Sequence, residues 1–163
     1  MTTVQQSGLV TNGHLAIWST TGVIQDGGVA PVGIRVLASL RGANFNTVND
    51  QPIAIPQRIT AFQLTSIIVT NASINLTTAA GGFYPQAAKA GTAIVAAGQA
   101  YSSLSSASVI LNPTLAGSAG LTRFSSANLN SIAGFLSIWF SLTTAQGAAA
   151  ATADIYLVGL DLT

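Results

Sequence analysis

Cysteine and glutamate are absent from the 163-residue chain, lysine occurs once, as Lys89, and histidine once, as His14. Without cysteine there can be neither a disulfide nor a thiolate metal site. The other charges are Arg35, Arg41, Arg58, Arg123, Asp26, Asp50, Asp154 and Asp161. Charged residues therefore make up 6% of the chain, against about 25% in an average soluble domain. Charge keeps free protein surfaces apart, so a surface this poor in it is weakly protected against association. The simplest consequence is that much of the surface is buried against other copies or within an assembly. The net charge is +1 and the five basic residues are scattered. Nucleic-acid binding draws on clustered lysine and arginine to neutralise phosphates, and that footprint is missing.

Long apolar runs are missing as well. The longest, Ile132 to Leu142, is broken by Ser137 and Ser141 and falls short of the ~18 residues expected of a spanning helix. It reads as a buried strand. The opening residues, Met1-Thr2-Thr3-Val4-Gln5-Gln6, lack the basic and apolar regions of a signal peptide. No membrane contact is expected, and synthesis in a cytoplasm followed by use in a soluble assembly is the reading that remains.

Hydrophobic residues are nonetheless 49% of the chain, enough for one domain with a real core. Their arrangement is that of an all-β protein. His14-Leu15-Ala16-Ile17-Trp18 is a strand candidate, followed by turn material at 19–22. Val23-Ile24 then leads to a turn at Asp26-Gly27-Gly28, where glycine tolerates positive φ. Two short β elements joined in this way form a hairpin or an extended arm, which is marginal alone in water. Residues 33–40 are compatible with a third strand or a short helix. Residues 42–56, with Asn44, Asn46, Asn49, Asp50, Pro52 and Pro56, read as a loop. The expected division is an N-terminal arm and linker over 1–56 and a β-sandwich domain over 57–163.

The second part is dense in β-branched residues. Residues 58–64 and 65–78 read as strands, with Ile74, Leu76 and Thr78 on one face. Gly81-Gly82 is expected to end that run. Residues 92–96 and 109–111 are strand-like, Tyr101 to Ala107 reads as a short helix, and 135–144 and 153–160 complete the set. Many short strands separated by turn signals point to an antiparallel β-sandwich, jelly-roll-like in form. An internal echo joins Leu76-Thr77-Thr78-Ala79-Ala80-Gly81 with Leu142-Thr143-Thr144-Ala145-Gln146-Gly147. Shared strand-end chemistry and equivalent strands in a two-sheet jelly roll both explain it.

Catalysis needs titratable groups within mutual reach. One histidine and four aspartates, with no base placed to activate a hydroxyl, make an enzyme unexpected. His14 has only Asp26 near it in sequence, too little for a metal, and one carboxylate does not make Asp26-Gly27-Gly28 a calcium loop. No metal and no cofactor are expected. Of the aromatics, Trp139 and Tyr156 read as core or interface residues. Tyr84, in the loop expected after Gly82, is the best candidate for an exposed contact, such as stacking on a sugar ring.

Three runs carry a family resemblance. Gln6-Ser7-Gly8-Leu9-Val10-Thr11-Asn12-Gly13-His14-Leu15-Ala16-Ile17-Trp18, continuing through Gly28, resembles the opening of structural proteins of tailed-bacteriophage virions. Ile67-Ile68-Val69-Thr70-Asn71-Ala72-Ser73, with 76–82 after it, and Ser141 through Tyr156 are similar to runs common in virion proteins. The resemblance implies a capsid decoration (cement) protein, or a small tail or fibre component. It implies a homotrimer whose N-terminal arm grips the major capsid protein or a tail protein. The contacts would be apolar anchors on the arm, namely Leu15, Ile17, Trp18, Val23 and Ile24. It implies residence in the virion after synthesis in the host cytoplasm. A free-standing carbohydrate-binding module is the remaining alternative.

Overall fold

The computed structural model describes residues 33–147 and 150–163 in full, and the backbone of three strands within residues 1–32. The chain divides into two units, Met1–Val32 and Gly33–Thr163. In the first, β1 (Gln5–Gln6), β2 (His14–Trp18) and β3 (Val23–Val29) form a sheet in the order β1-β3-β2. β2 and β3 are antiparallel, with Trp18 opposite Ile24, which is the hairpin the sequence suggests. Asp26-Gly27-Gly28 is not a turn; it lies inside β3, beside an irregularity in the pairing with β2. A bulge uses the same backbone freedom that a turn would.

The second unit holds β4 (Ile34–Asn44), β5 (Gln51–Ala54), β6 (Ala61–Thr70), β7 (Ala80–Tyr84), β8 (Ile110–Leu111), β9 (Arg123–Ser125), β10 (Ser131–Ile132), β11 (Phe135–Thr144) and β12 (Thr152–Asp161). One sheet has the order β4-β12-β6, with β8 and β9 pairing the two ends of the far side of β6. The other is centred on β11, flanked by β5 on one side and by β7 and β10 on the other. An isolated bridge from Phe83 to Val95 extends that second sheet by one more chain segment. Through β7, consecutive strands alternate between the sheets, and β11 and β12 insert between the earlier strands of each. This is the strand order of a jelly roll, two antiparallel sheets packed into a sandwich. Among the described residues there is no α-helix, only a 3-10 turn at Ala119–Leu121.

The core forms where the two inner faces meet. On β12, Ala153, Ile155 and Leu157 point inward, as strand alternation requires. On β6 the inward residues are Phe62 and Leu64, then Ile67 and Val69, so the phase changes midway. The cause is a bulge at Thr65, since Gly159 faces Leu64 while Val158 faces Ser66. One extra residue turns the rest of a strand over, and here both halves keep apolar residues inside. Phe140 sits among Phe45, Phe83 and Tyr101 at ring-centroid distances of 5.1, 5.1 and 6.0 Å. Phe62 stacks on Phe124 at 5.5 Å elsewhere in the core.

The structure corrects three further expectations. The sandwich begins at Gly33, not at 57, because β4 and β5 are strands of its two sheets. The Asn- and Pro-rich stretch hid Phe45, Ile53 and Ile55, all fully buried. The long strand expected through Thr78 ends at Thr70, since Asn71 takes a left-handed φ of 57° and turns the chain. Leu76 is buried, but Thr78 is exposed and the segment is not a strand. Residues 101–107 form turns instead of a helix, anchored by the buried Tyr101 and Leu104, and the hydrogen bond from Leu104 N–H to the Tyr101 carbonyl closes a single turn. Serine-rich sequence offers the backbone such local alternatives.

The two echoed segments meet in space without being equivalent strands. The Gln146 side-chain carbonyl accepts from the backbone N–H groups of Thr78 and Ala79, and the Thr78 hydroxyl donates to the Gln146 carbonyl at 2.9 Å. One segment is the end of β11, the other the approach to β7, its neighbour in the sheet.

Candidate interaction surfaces

Leu15, Ile17 and Trp18 fall in β2, and Val23 and Ile24 in β3, so all five proposed anchors lie on one hairpin. Their side chains lie outside the described residues, as does that of His14. Tyr84 is placed where the sequence did not suggest. It is 4% exposed and belongs to β7, opposite Trp139 on β11. The reason is the glycine pair before it. A Cβ on Gly81 would stand 2.4 Å from the Leu142 Cα, and one on Gly82 would stand 2.4 Å from the Val95 carbonyl oxygen. Gly81 and Gly82 therefore permit close backbone approach inside a strand, and they do not end it. Burial pushes the Tyr84 phenol above its ordinary pKa, with the Asp50 carboxylate adding to the effect. Tyr84 is thus withdrawn as an exposed contact. Trp139 is half-buried beside it, with an indole N–H that finds no acceptor among the described residues.

An uncharged cleft of about 390 Å³ opens between the 85–94 loop and the 116–128 segment. Its walls combine Ile94, Ala119 and Phe124 with Gln86, Thr92 and Ser118. Asn128, also on the wall, is committed to holding the loop: its side chain accepts from Ser125 N–H at 2.9 Å and donates to the Arg123 carbonyl at 2.9 Å. Nothing in the sequence marks this cleft, because its walls come from segments brought together only by the fold. Among the described residues no three His, Cys, Asp or Glu side chains gather at one point, and no helix is long and apolar enough to cross a membrane.

The two carboxylates of β12 are used within the sandwich. Asp154, its side chain 9% exposed, accepts from the Arg41 guanidinium at 2.8 Å, from Gly42 N–H at 2.8 Å and from the Asn71 amide at 3.2 Å. Arg41 also lies over the Tyr156 ring, 4.6 Å from its centroid. Arg35 pairs in the same way with Asp161, whose other oxygen accepts from Thr163 N–H. For Asp154, partial burial acts to raise the pKa. The hydrogen bonds from Gly42, Arg41 and Asn71, with the charge of Arg41, outweigh it and hold the carboxyl below 3.8.

A folded pKa below the unfolded one gives stability that is present above the unfolded value and lost as pH falls through the folded value. The urea midpoint is therefore expected to stay level from neutral pH to about pH 5 and to fall below about pH 4. Asp154→Asn should lower stability at neutral pH by about 1–3 kcal/mol and flatten that acid limb. Most of this comes from the buried hydrogen bonds, since Arg41 is largely solvated and its ion pair contributes little. An acid limb unchanged by the Asp154→Asn substitution would contradict the assignment.

Fold and surface together define a class: a jelly-roll β-sandwich with few charges, in which both aspartates of β12 are tied to arginines of β4. No protein-family model, no curated protein and no solved structure matches the chain.

Proposed function

We propose that this chain is a non-catalytic structural protein of a bacteriophage particle, a decoration protein that binds the outer shell through its N-terminal hairpin and associates with its own copies. The observation that carries this reading is the jelly-roll strand order, an architecture recurrent in viral capsid and lectin domains. A fold hosts many functions, so the surface must add to it. Here it does: the chain is 6% charged, and the Asp154 and Asp161 carboxylates are both tied to arginines of β4. The mechanism is mechanical. A hairpin laid on neighbouring shell subunits ties them together by main-chain hydrogen bonds and apolar anchors. Several copies held together multiply weak contacts, because an oligomer leaves only when all its arms detach.

The test is the copy number in purified virions, by quantitative mass spectrometry against the major capsid protein. One copy per shell subunit, or a simple fraction of that, is the expected result. A few copies per particle would move the protein to the tail or a fibre, and none would remove it from the virion. The uncharged cleft favours a second reading, a carbohydrate-binding module. Saturable binding of purified host polysaccharide by the protein alone, lost in Gln86→Ala and Thr92→Ala, would establish that reading instead.

A further inference from the structure

The loop from Pro85 to Ala93 leaves β7 and forms one wall of the uncharged cleft. It is anchored at both ends. Pro85 is buried, and its carbonyl accepts from Asn130 N–H at 3.3 Å. Ile94 is buried, and its N–H donates to the Phe83 carbonyl at 2.7 Å. Residues 88–92, between these anchors, are exposed. Among the described residues, a single hydrogen bond ties 86–93 to another segment of the chain: Ala88 N–H donates to the Asp50 carboxylate. The Ala90 N–H bonds within the loop, to the Ala87 carbonyl.

The backbone is strained where that bond grips it. Ala88 and Lys89 take left-handed φ values of 57° and 56°, and Gly91 follows at 79°. Left-handed backbone is ordinary for glycine, but in other L-residues it brings the Cβ too close to the carbonyl oxygen that follows. Two such residues in a row persist only where the surroundings hold them. Asp50 is placed to do so. It stands beside Gln51, the first residue of β5, whose side-chain amide accepts from the N–H and donates to the carbonyl of Asn44, each at 2.7 Å. That clasp fixes the base of the connection between β4 and β5. The Asp50 carboxylate also acts on the Tyr84 phenol at the end of β7, immediately before the loop.

We propose that residues 86–92 are a flap on the cleft, latched shut by Asp50, and that loss of the Asp50–Ala88 bond lets the strained segment swing away from the 116–128 wall. Pro85 and Ile94 are its hinges. Gln86, Gly91 and Thr92 line the cleft, so their displacement widens it. What the flap admits is a neutral molecule, since the walls carry no charge to offset the desolvation of an ion. This concerns the cleft and stands apart from the virion reading.

Lys89 is the one lysine of the chain, so a lysine-specific protease can cut only in the flap. Where opening is fast relative to cutting, the cleavage rate follows the open population. Asp50→Ala is expected to raise that rate at least about fivefold, and Asp50→Asn, which keeps an acceptor oxygen, by no more than about twofold. The second readout lies inside the cleft. The chain has no cysteine, so Ala119→Cys puts a single thiol on the cleft wall. Adding Asp50→Ala should speed its maleimide labelling at least about threefold and leave the labelling of Gly98→Cys unchanged. In the unaltered chain, corrected for intrinsic rates, the Ala88 amide should exchange with deuterium at least about tenfold more slowly than that of Lys89. Equal exchange at the two amides, or a cleavage rate unaffected by Asp50→Ala, overturns the latch. Faster cleavage with unchanged labelling of the Ala119→Cys thiol overturns the flap's control of the cleft.

Discussion

Replacing Gly159 with alanine is expected to cost about 3 kcal/mol or more, a large part of the roughly 5–15 kcal/mol that holds an ordinary domain together. The added Cβ would stand 2.0 Å from the Gln63 carbonyl oxygen and 3.0 Å from a methyl of Leu37. The oxygen belongs to the backbone of the paired strand, close to the Thr65 bulge in β6. It cannot rotate away as a side-chain end would. The loss should appear as a sharply reduced urea midpoint, or as failure to recover folded protein. Gly98→Ala is the matched control, because its Cβ would meet nothing within 4 Å. That variant should stay within about 0.5 kcal/mol of the parent. Equal midpoints for the two would mean that β6 and β12 are not in the contact described.

Deleting residues 1–28 is expected to abolish attachment to the particle while leaving the sandwich folded. The unit Gly33–Thr163 contains the whole described core, so its unfolding transition should survive the deletion. Attachment should not, because Leu15, Ile17, Trp18, Val23 and Ile24 are all removed with β2 and most of β3. Co-sedimentation with particles lacking the protein measures this directly. Binding at full strength by the shortened chain would eliminate the hairpin as the grip. Should the deletion impair folding, the double substitution Trp18→Ala with Ile24→Ala asks the same question of an intact chain.

Much of the architecture is legible in residue order. The runs that read as strands at 58–64, 135–144 and 153–160 fall on β6, β11 and β12, and the packed sheets show Ile155, Leu157, Ile138 and Phe140 facing inward. The scarcity of charge is plain from composition alone. What failed did so for recognisable reasons. Gly81-Gly82 reads as a strand end because glycine usually breaks strands, yet here it admits the backbone of β11 and of Val95, and Tyr84 is carried inside with it. Residues 42–56 read as a loop by their Asn and Pro content, although Ile53 and Ile55 fill the core.

Composition, β-branched runs and the turn signals between them were enough to indicate an all-β protein without disulfides and with few charges. Which residues the sheets bring side by side emerged only from the packed sandwich. A strand's neighbours are chosen by packing between distant segments, and a single bulge, such as that at Thr65, reverses which side chains reach the core and which reach the surface.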